Sequence, residues 1–259
     1  MSSSLPHRLE RTVAINAPRE AVFRFFTDTP RWAAWWGVGS TIDARPGGPL
    51  LIIHPGGVEV RGEVVDVAPP ERIVFTYGYT SGSPIPPGGS RVTIRLEAEG
   101  RGTRLRLLHE FADTEARDHH AQGWRYQLSL FANVVLDELH AGAAAKVDGW
   151  FAAWSEEDES ARAKRLAVLA APEVRFRDRF SLVTGMADLL PHLAATHRFM
   201  PGFRLRREGD VRHCQGTVLA DWVAVAPDGR ERARGTNVFA LDADGRIESV
   251  TGFWTLGAR

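Results

Sequence analysis

Cysteine is almost absent: Cys214 is the only one in 259 residues. No intrachain disulfide can form, so a reducing, cytoplasmic setting is the natural expectation. The first residues lack the apolar segment of a signal peptide, and no apolar run approaches the length of a membrane span. A surplus of either charge is missing too. Lys+Arg and Asp+Glu both number 32, a formal net charge of zero. A DNA-binding domain usually carries a basic excess, so neither nucleic acid nor membrane is expected as a partner. Signatures of metal chemistry are lacking: there is no His/Glu helix motif, cysteine cluster or facial triad, and the adjacent His119 and His120 point apart on a helix. No Gly-rich strand-to-helix turn suits a dinucleotide, and no nucleophile elbow is present. The sequence therefore predicts no metal and no cofactor. Internal repeats and low-complexity tracts are also missing.

What is present is ordinary in bulk and distinctive in detail. A hydrophobic fraction of 44% and a charged fraction of 25% suit a soluble globular protein, and the length suits one or two domains. Tryptophan numbers 8 and is clustered. Glycine and proline fall mostly between short alternating segments, the pattern of antiparallel strands joined by tight turns. Residues 9–15 read as a first strand. Asn16 then offers a cap for a helix carrying Pro18 and Glu20 in its first turn and running to about Phe26. A short helix follows near 30–36. Strands are predicted at about 40–45, 48–54, 58–67, 71–79, 90–98 and 103–110. Over 115–140, Trp124, Leu128, Phe131, Val135 and Leu139 make one apolar stripe of a long helix. Such a helix needs a sheet to cover.

The small-residue segment Glu138–Lys146 is the best domain boundary, giving domains of 1–140 and 141–259. Beyond it, Val147, Trp150, Phe151 and Trp154 begin a second helical stripe. Further helices are expected at 159–170 and 186–199. Strands are expected at 173–178, 203–212, 216–225, 231–242 and 246–255. Helices followed by a meander suggest a second sheet wrapped over helices, so the fold class is α+β in two domains.

Particular stretches carry a family resemblance. Ile15-Asn-Ala-Pro18, Trp32-Ala-Ala-Trp-Trp-Gly37, Asp43-Ala-Arg-Pro-Gly-Gly48, Gly62–Arg72 and His120-Ala-Gln-Gly-Trp124 make residues 9–140 resemble the SRPBCC (START-like) superfamily, in the group named after the activator of heat-shock protein 90 ATPase. This implies a helix-grip fold with a deep apolar cavity. It does not imply chaperone activation. Trp150-Phe-Ala-Ala-Trp154, Val174-Arg-Phe-Arg-Asp178, Pro227-Asp-Gly229, Gly235-Thr-Asn-Val238 and Gly252-Phe253 make residues 143–256 resemble nuclear-transport-factor-2-like domains, in particular SnoaL-like and ketosteroid-isomerase-like members. This implies a cone-shaped α+β barrel that holds apolar molecules. Members of both superfamilies dimerise often. The resemblance therefore implies a homodimer through the open sheet of the second domain.

Asp178 is the sharpest candidate for chemistry. On an alternating strand it shares a face with Val174 and Phe176, which declare that face the inside. Desolvation there favours a neutral carboxyl, a useful proton shuttle. The adjacent Arg179 offers the opposite reading, a structural ion pair. The ketosteroid-isomerase-like resemblance places a base at Asp178 and puts two carbonyl-facing donors at Trp150 and Asn237. It also marks His197, His213 and Trp222 as ligand-binding candidates. The alternative for Trp150 is a core aromatic. In the first domain, face-sharing picks Tyr77 (with Ile73 and Phe75) and His109 (with Leu105 and Leu107). Trp124 and Trp36 join them as cavity candidates, with core packing as the alternative. The Arg-rich strands, including Arg232 and Arg234 on the face opposite Asn237, read as solvated sheet.

Three functions remain open at this point. One is a cofactor-independent cyclase- or isomerase-like enzyme, of polyketide-cyclase type, acting on an apolar carbonyl-containing small molecule. The second is a hydrophobic-ligand binder or sensor without turnover. The third is a co-chaperone-like interaction module, which needs an exposed apolar patch, and the sequence offers no clear one.

Overall fold

A computed structural model describes residues 4–255. The described residues form an α+β protein with six α-helices, a short 3-10 turn and two separate sheets. The chain divides into two compact units, Met1–Leu136 and Asp137–Arg259. No helix among the described residues is long and apolar enough to cross a membrane.

In the first unit the strands are β1 (His7–Ile15), β2 (Thr41–Ile42), β3 (Pro49–Ile53), β4 (Glu59–Ala68), β5 (Arg72–Tyr79), β6 (Ser90–Glu99) and β7 (Gly102–Phe111). They form one antiparallel sheet in the order β1-β7-β6-β5-β4-β3-β2. Helix α1 (Arg19–Phe23) runs into the 3-10 turn Arg24–Phe26, and α2 (Thr29–Trp36) follows. Asn16 does not cap α1 as expected: the flanking residue is Pro18, with no side-chain cap. Proline lacks the N–H, and its φ is already set for the entry to a helix. Asp28 caps α2 by accepting from Arg31 N–H. Gly37 ends that helix with φ +150°, and a Cβ there would lie 2.2 Å from the Ile53 carbonyl oxygen. Only glycine fits this close approach. Helix α3 (Thr114–Leu139) lays its stripe of Trp124, Leu128, Phe131 and Val135 into the core, while Leu139 is only half-buried.

In the second unit, α4 (Ala143–Ser155), α5 (Glu159–Leu169) and α6 (Met186–Phe199) accompany β8 (Ala170–Arg177), β9 (Leu182–Thr184), β10 (Arg204–Cys214), β11 (Thr217–Val225), β12 (Glu231–Leu241) and β13 (Ile247–Trp254). The sheet order is β10-β11-β12-β13-β8-β9, antiparallel except for the β13/β8 pair. Ala143–Lys146, read as linker, is the first turn of α4, and His140–Gly142 joins α3 to it. The short β9 was missed: three residues show too little alternation to read. Val147, Trp150, Phe151 and Trp154 of α4 are all buried against the sheet residues Phe176, Val218, Phe239 and Val250.

Candidate functional site

Rows across the second sheet set the site. In one row Trp222 (β11) pairs with Gly235 (β12), which pairs with Trp254 (β13). A Cβ on Gly235 would meet the Trp222 ring at 2.7 Å, so the glycine makes room for the two indoles, whose rings meet edge-on at 5.2 Å and 86°. In the next row Ala220 pairs with Asn237, which pairs with Gly252. Strand β8 runs parallel to β13 with Arg177 beside Thr251, so the next step brings Asp178 beside Gly252. A Cβ on Gly252 would lie 3.2 Å from both Asn237 Oδ1 and Asp178 Cβ. Asp178 and Asn237 therefore stand on either side of a residue with no side chain, on a wall of one cavity.

That cavity has a volume of about 830 Å³ and is lined mainly by apolar and aromatic side chains, among them Trp150, Trp154, Phe176 and Phe203. Phe180, Phe199 and Met200 line it and are also exposed, so they stand at its mouth. Leu182 and Phe253 are further exposed apolar side chains of this unit. Alternation cannot foresee the residues at the mouth, because Phe180 lies in the loop between β8 and β9 and Phe199 and Met200 at the end of α6.

The polar groups at this wall have defined roles. The Trp222 Nε1–H donates to Asn237 Oδ1 at 2.9 Å. An indole only donates, so the amide orientation is fixed and the Asn237 NH₂ is left as the donor. Asp178 Oδ1 accepts from the Phe180 backbone N–H at 2.8 Å, and Oδ2 accepts from Trp254 Nε1–H at 3.1 Å. The expected ion pair with Arg179 does not form; that guanidinium lies over the Phe180 ring, 5.6 Å from its centroid. Asp178 is half-buried, just past the end of β8, which leaves it less enclosed than Val174 and Phe176. Ser181 and His192 also line the cavity, with Ser181 Oγ 3.2 Å from His192 Nε2. Arg232, read as pointing outward, is exposed yet reaches the cavity. The β11/β12 ladder is irregular between Ala224 and Val225, which breaks strict alternation there.

The structure thus brings Asp178, Asn237, Trp150 and Trp222 to one cavity. Trp150 is fully buried and packs edge-on to Phe239 at 6.2 Å. His197 and His213 are not among the lining residues. His197 packs on Phe203 at 5.3 Å, and burial, then the nearby Arg162, push its pKa down. His213 sits at the β10/β11 turn, where Nδ1 meets Asp137 Oδ1 at 2.7 Å and Nε2 meets His140 Nδ1 at 3.2 Å. Sequence reasoning missed Trp254, Ser181 and His192. His192 lies one turn from the buried Leu189, a spacing that could have found it.

The first-unit candidates hydrogen-bond to one another. Trp124 Nε1–H donates to His109 Nδ1 at 2.9 Å, so the proton of this neutral imidazole sits on Nε2. That Nε2–H meets Ser90 Oγ at 2.8 Å, and Ser90 Oγ–H donates to the Tyr77 carbonyl at 2.8 Å. Burial, then the neighbouring His120, holds the His109 pKa well below its ordinary value. Burial raises that of Tyr77 well above its own. His120 Nδ1–H donates to Ala116 O at 2.6 Å, leaving Nε2 to accept from Tyr79 Oη–H at 3.1 Å. Trp36 is the remaining candidate of this unit. It is buried within an aromatic stack, 4.2 Å from Trp35 and 5.7 Å from Trp124 between ring centroids.

Residues 16–135 match the family described as Activator of Hsp90 ATPase homolog 1-like protein. This part of the chain is thus similar to that family. Among solved structures, the chain is similar to a SnoaL-like family protein from Agrobacterium tumefaciens (27% identity, 46% of this chain and 99% of that one, TM-score 0.43). It is also similar to the Aha1 dimer of Colwellia psychrerythraea (17% identity, 47% and 90%, TM-score 0.42). A third is CalU16 from Micromonospora echinospora (26% identity, 48% and 75%, TM-score 0.40). No curated protein matches the chain. The Asp178–Asn237 wall belongs wholly to the second unit.

Proposed function

We propose that residues 141–259 form a SnoaL-like domain that binds an apolar, carbonyl-bearing small molecule and moves a proton on it without a cofactor, as an isomerase or cyclase does. The observation that carries this reading is the pair Asp178 and Asn237 facing each other across Gly252 on the wall of an otherwise apolar cavity. A carbonyl oxygen placed at the Asn237 NH₂ gains a hydrogen bond as it becomes an enolate. A carboxylate nearby can take the α-proton and return it at another carbon. The apolar surroundings strengthen both interactions by excluding water.

α-Proton exchange tests this directly. The protein is incubated with 2-tetralone in D₂O, and deuterium entry is followed by NMR. Acceleration by the wild type and a loss on the order of 10²-fold or more in Asp178→Asn are expected, in line with general-base contributions. Equal rates in both proteins would remove Asp178 from this role. A binder without turnover is the second reading. It is favoured by the two N–H donors that already engage both carboxylate oxygens of Asp178.

A further inference from the structure

The same end of the cavity has a second property that proton transfer does not require. Phe180 meets Trp254 edge-on at 5.3 Å and 84°, and Trp254 meets Trp222 edge-on at 5.2 Å and 86°. Three successive rings therefore stand at right angles, as walls do at a corner. Both indole N–H groups are consumed by Asn237 and Asp178, so neither is left to offer a ligand its positive edge. Ring surface is what remains, and the face of an aromatic ring is its negative side. Beside these walls sits the carboxylate of Asp178, which among the described residues has no ion-pair partner. The Phe180 ring already has a cation over it, the guanidinium of Arg179 at 5.6 Å.

We propose that Phe180, Trp222, Trp254 and Asp178 form an aromatic cage for an alkylammonium group, so that the ligand of this cavity is an apolar molecule bearing a tertiary or quaternary amine. Aromatic walls attract such a cation through the ring quadrupole, and the interaction grows when water is excluded. A bulky N-alkyl shell keeps contact with the rings, while the charge is answered by the carboxylate. The cationic Arg232 on the lining is itself paired with Asp228 at 3.0 Å, which blunts its repulsion. The inference shares the cavity of the proposed function, narrows its ligand class, and does not depend on turnover.

Benzyltrimethylammonium and its neutral isostere neopentylbenzene differ only in charge and test this cleanly. A merely apolar cavity favours the neutral compound, because removing an ammonium from water is costly. Titrations followed by tryptophan fluorescence should instead show the cation binding wild type at least about 10-fold more tightly. Asp178→Asn and Trp254→Leu should each erase most of that preference while leaving affinity for neopentylbenzene within about 3-fold. Equal or tighter binding of neopentylbenzene by wild type would overturn the cage and leave an apolar binding site standing. A cation preference unchanged in both variants would overturn the assignment to these residues. If neither compound binds, the cage and the apolar-ligand reading both fall.

Discussion

Both units gather aromatic side chains, and they put them to opposite uses. In the first unit Phe131 contacts Phe25, Phe26 and Trp35 with centroids 4.8–6.0 Å apart, and Trp124, His109, Ser90 and Tyr77 close a hydrogen-bonded chain among themselves. In the second unit comparable rings stand back around 830 Å³ of space. Aromatic count is therefore no guide to where a ligand goes. The difference lies in the small residues between large ones. Gly235 and Gly252 interrupt β12 and β13 so that indoles and polar side chains meet over an open wall. In the first unit β5 and β7 place Phe75, Tyr77, Leu107, His109 and Phe111 at alternate, buried positions with no glycine between them.

The sharpest way to break this comparison is to delete one ring from each unit. Phe131→Ala should cost about 3–5 kcal/mol in urea unfolding, because the stack around it cannot collapse fully. Phe180→Ala, at 71% exposure, should cost no more than about 0.5 kcal/mol yet weaken ligand binding. Similar costs for the two would show that the Phe180 ring is packed as tightly as that of Phe131. Next in size is Trp124→Phe, which keeps a ring but strands His109 Nδ1. A loss of about 1–3 kcal/mol is expected, and calorimetric melting checks it.

Acid should weaken the first unit through three histidines, against His140 and His197 in the second. His109, His120 and His54 all have pKa values pushed down by burial. The unfolded chain then binds protons that the fold refuses. Stability from these groups is full above the unfolded value of about 6.5 and is lost as pH falls through the lower folded values. Melting followed between pH 8 and 5 should show the first unit losing stability on acidification. A flat profile would deny that the imidazoles are held neutral. A small effect is expected at Gly252→Ala. A Cβ 3.2 Å from Asn237 and Asp178 asks only a few tenths of an ångström of movement, so stability falls by about 1 kcal/mol or less. Ligand affinity should fall disproportionately, which titration of the variant will show.

Most of the architecture was readable, because period-2 and period-3.6 patterns report burial face directly. The stripe from Trp124 to Val135 comes from helical spacing, and the strand faces of Tyr77, His109 and Asn237 from alternation. What alternation cannot report is whether a buried face meets protein or space. Tyr77 and His109 were read as cavity lining and prove to be joined to one another through Ser90. Alternation puts Asp178 on the inner face, but its partner Trp254 depends on pairing between β8 and β13, which are distant in sequence. Arg232 escaped because a ladder irregularity shifts the face a side chain serves. Glycines at 235 and 252 inside strands were the one visible hint of close approach.

The bond from Trp222 to Asn237 has an evolutionary corollary. The indole needs only an oxygen to donate to, and an aspartate at position 237 supplies one as well as asparagine does. Replacing that amide by a carboxyl would keep the anchor and exchange the NH₂ for a second oxygen. The character of the wall could thus be inverted by a single nucleotide-scale change without rebuilding its frame, so a lineage carrying this domain could move between ligand chemistries in one step.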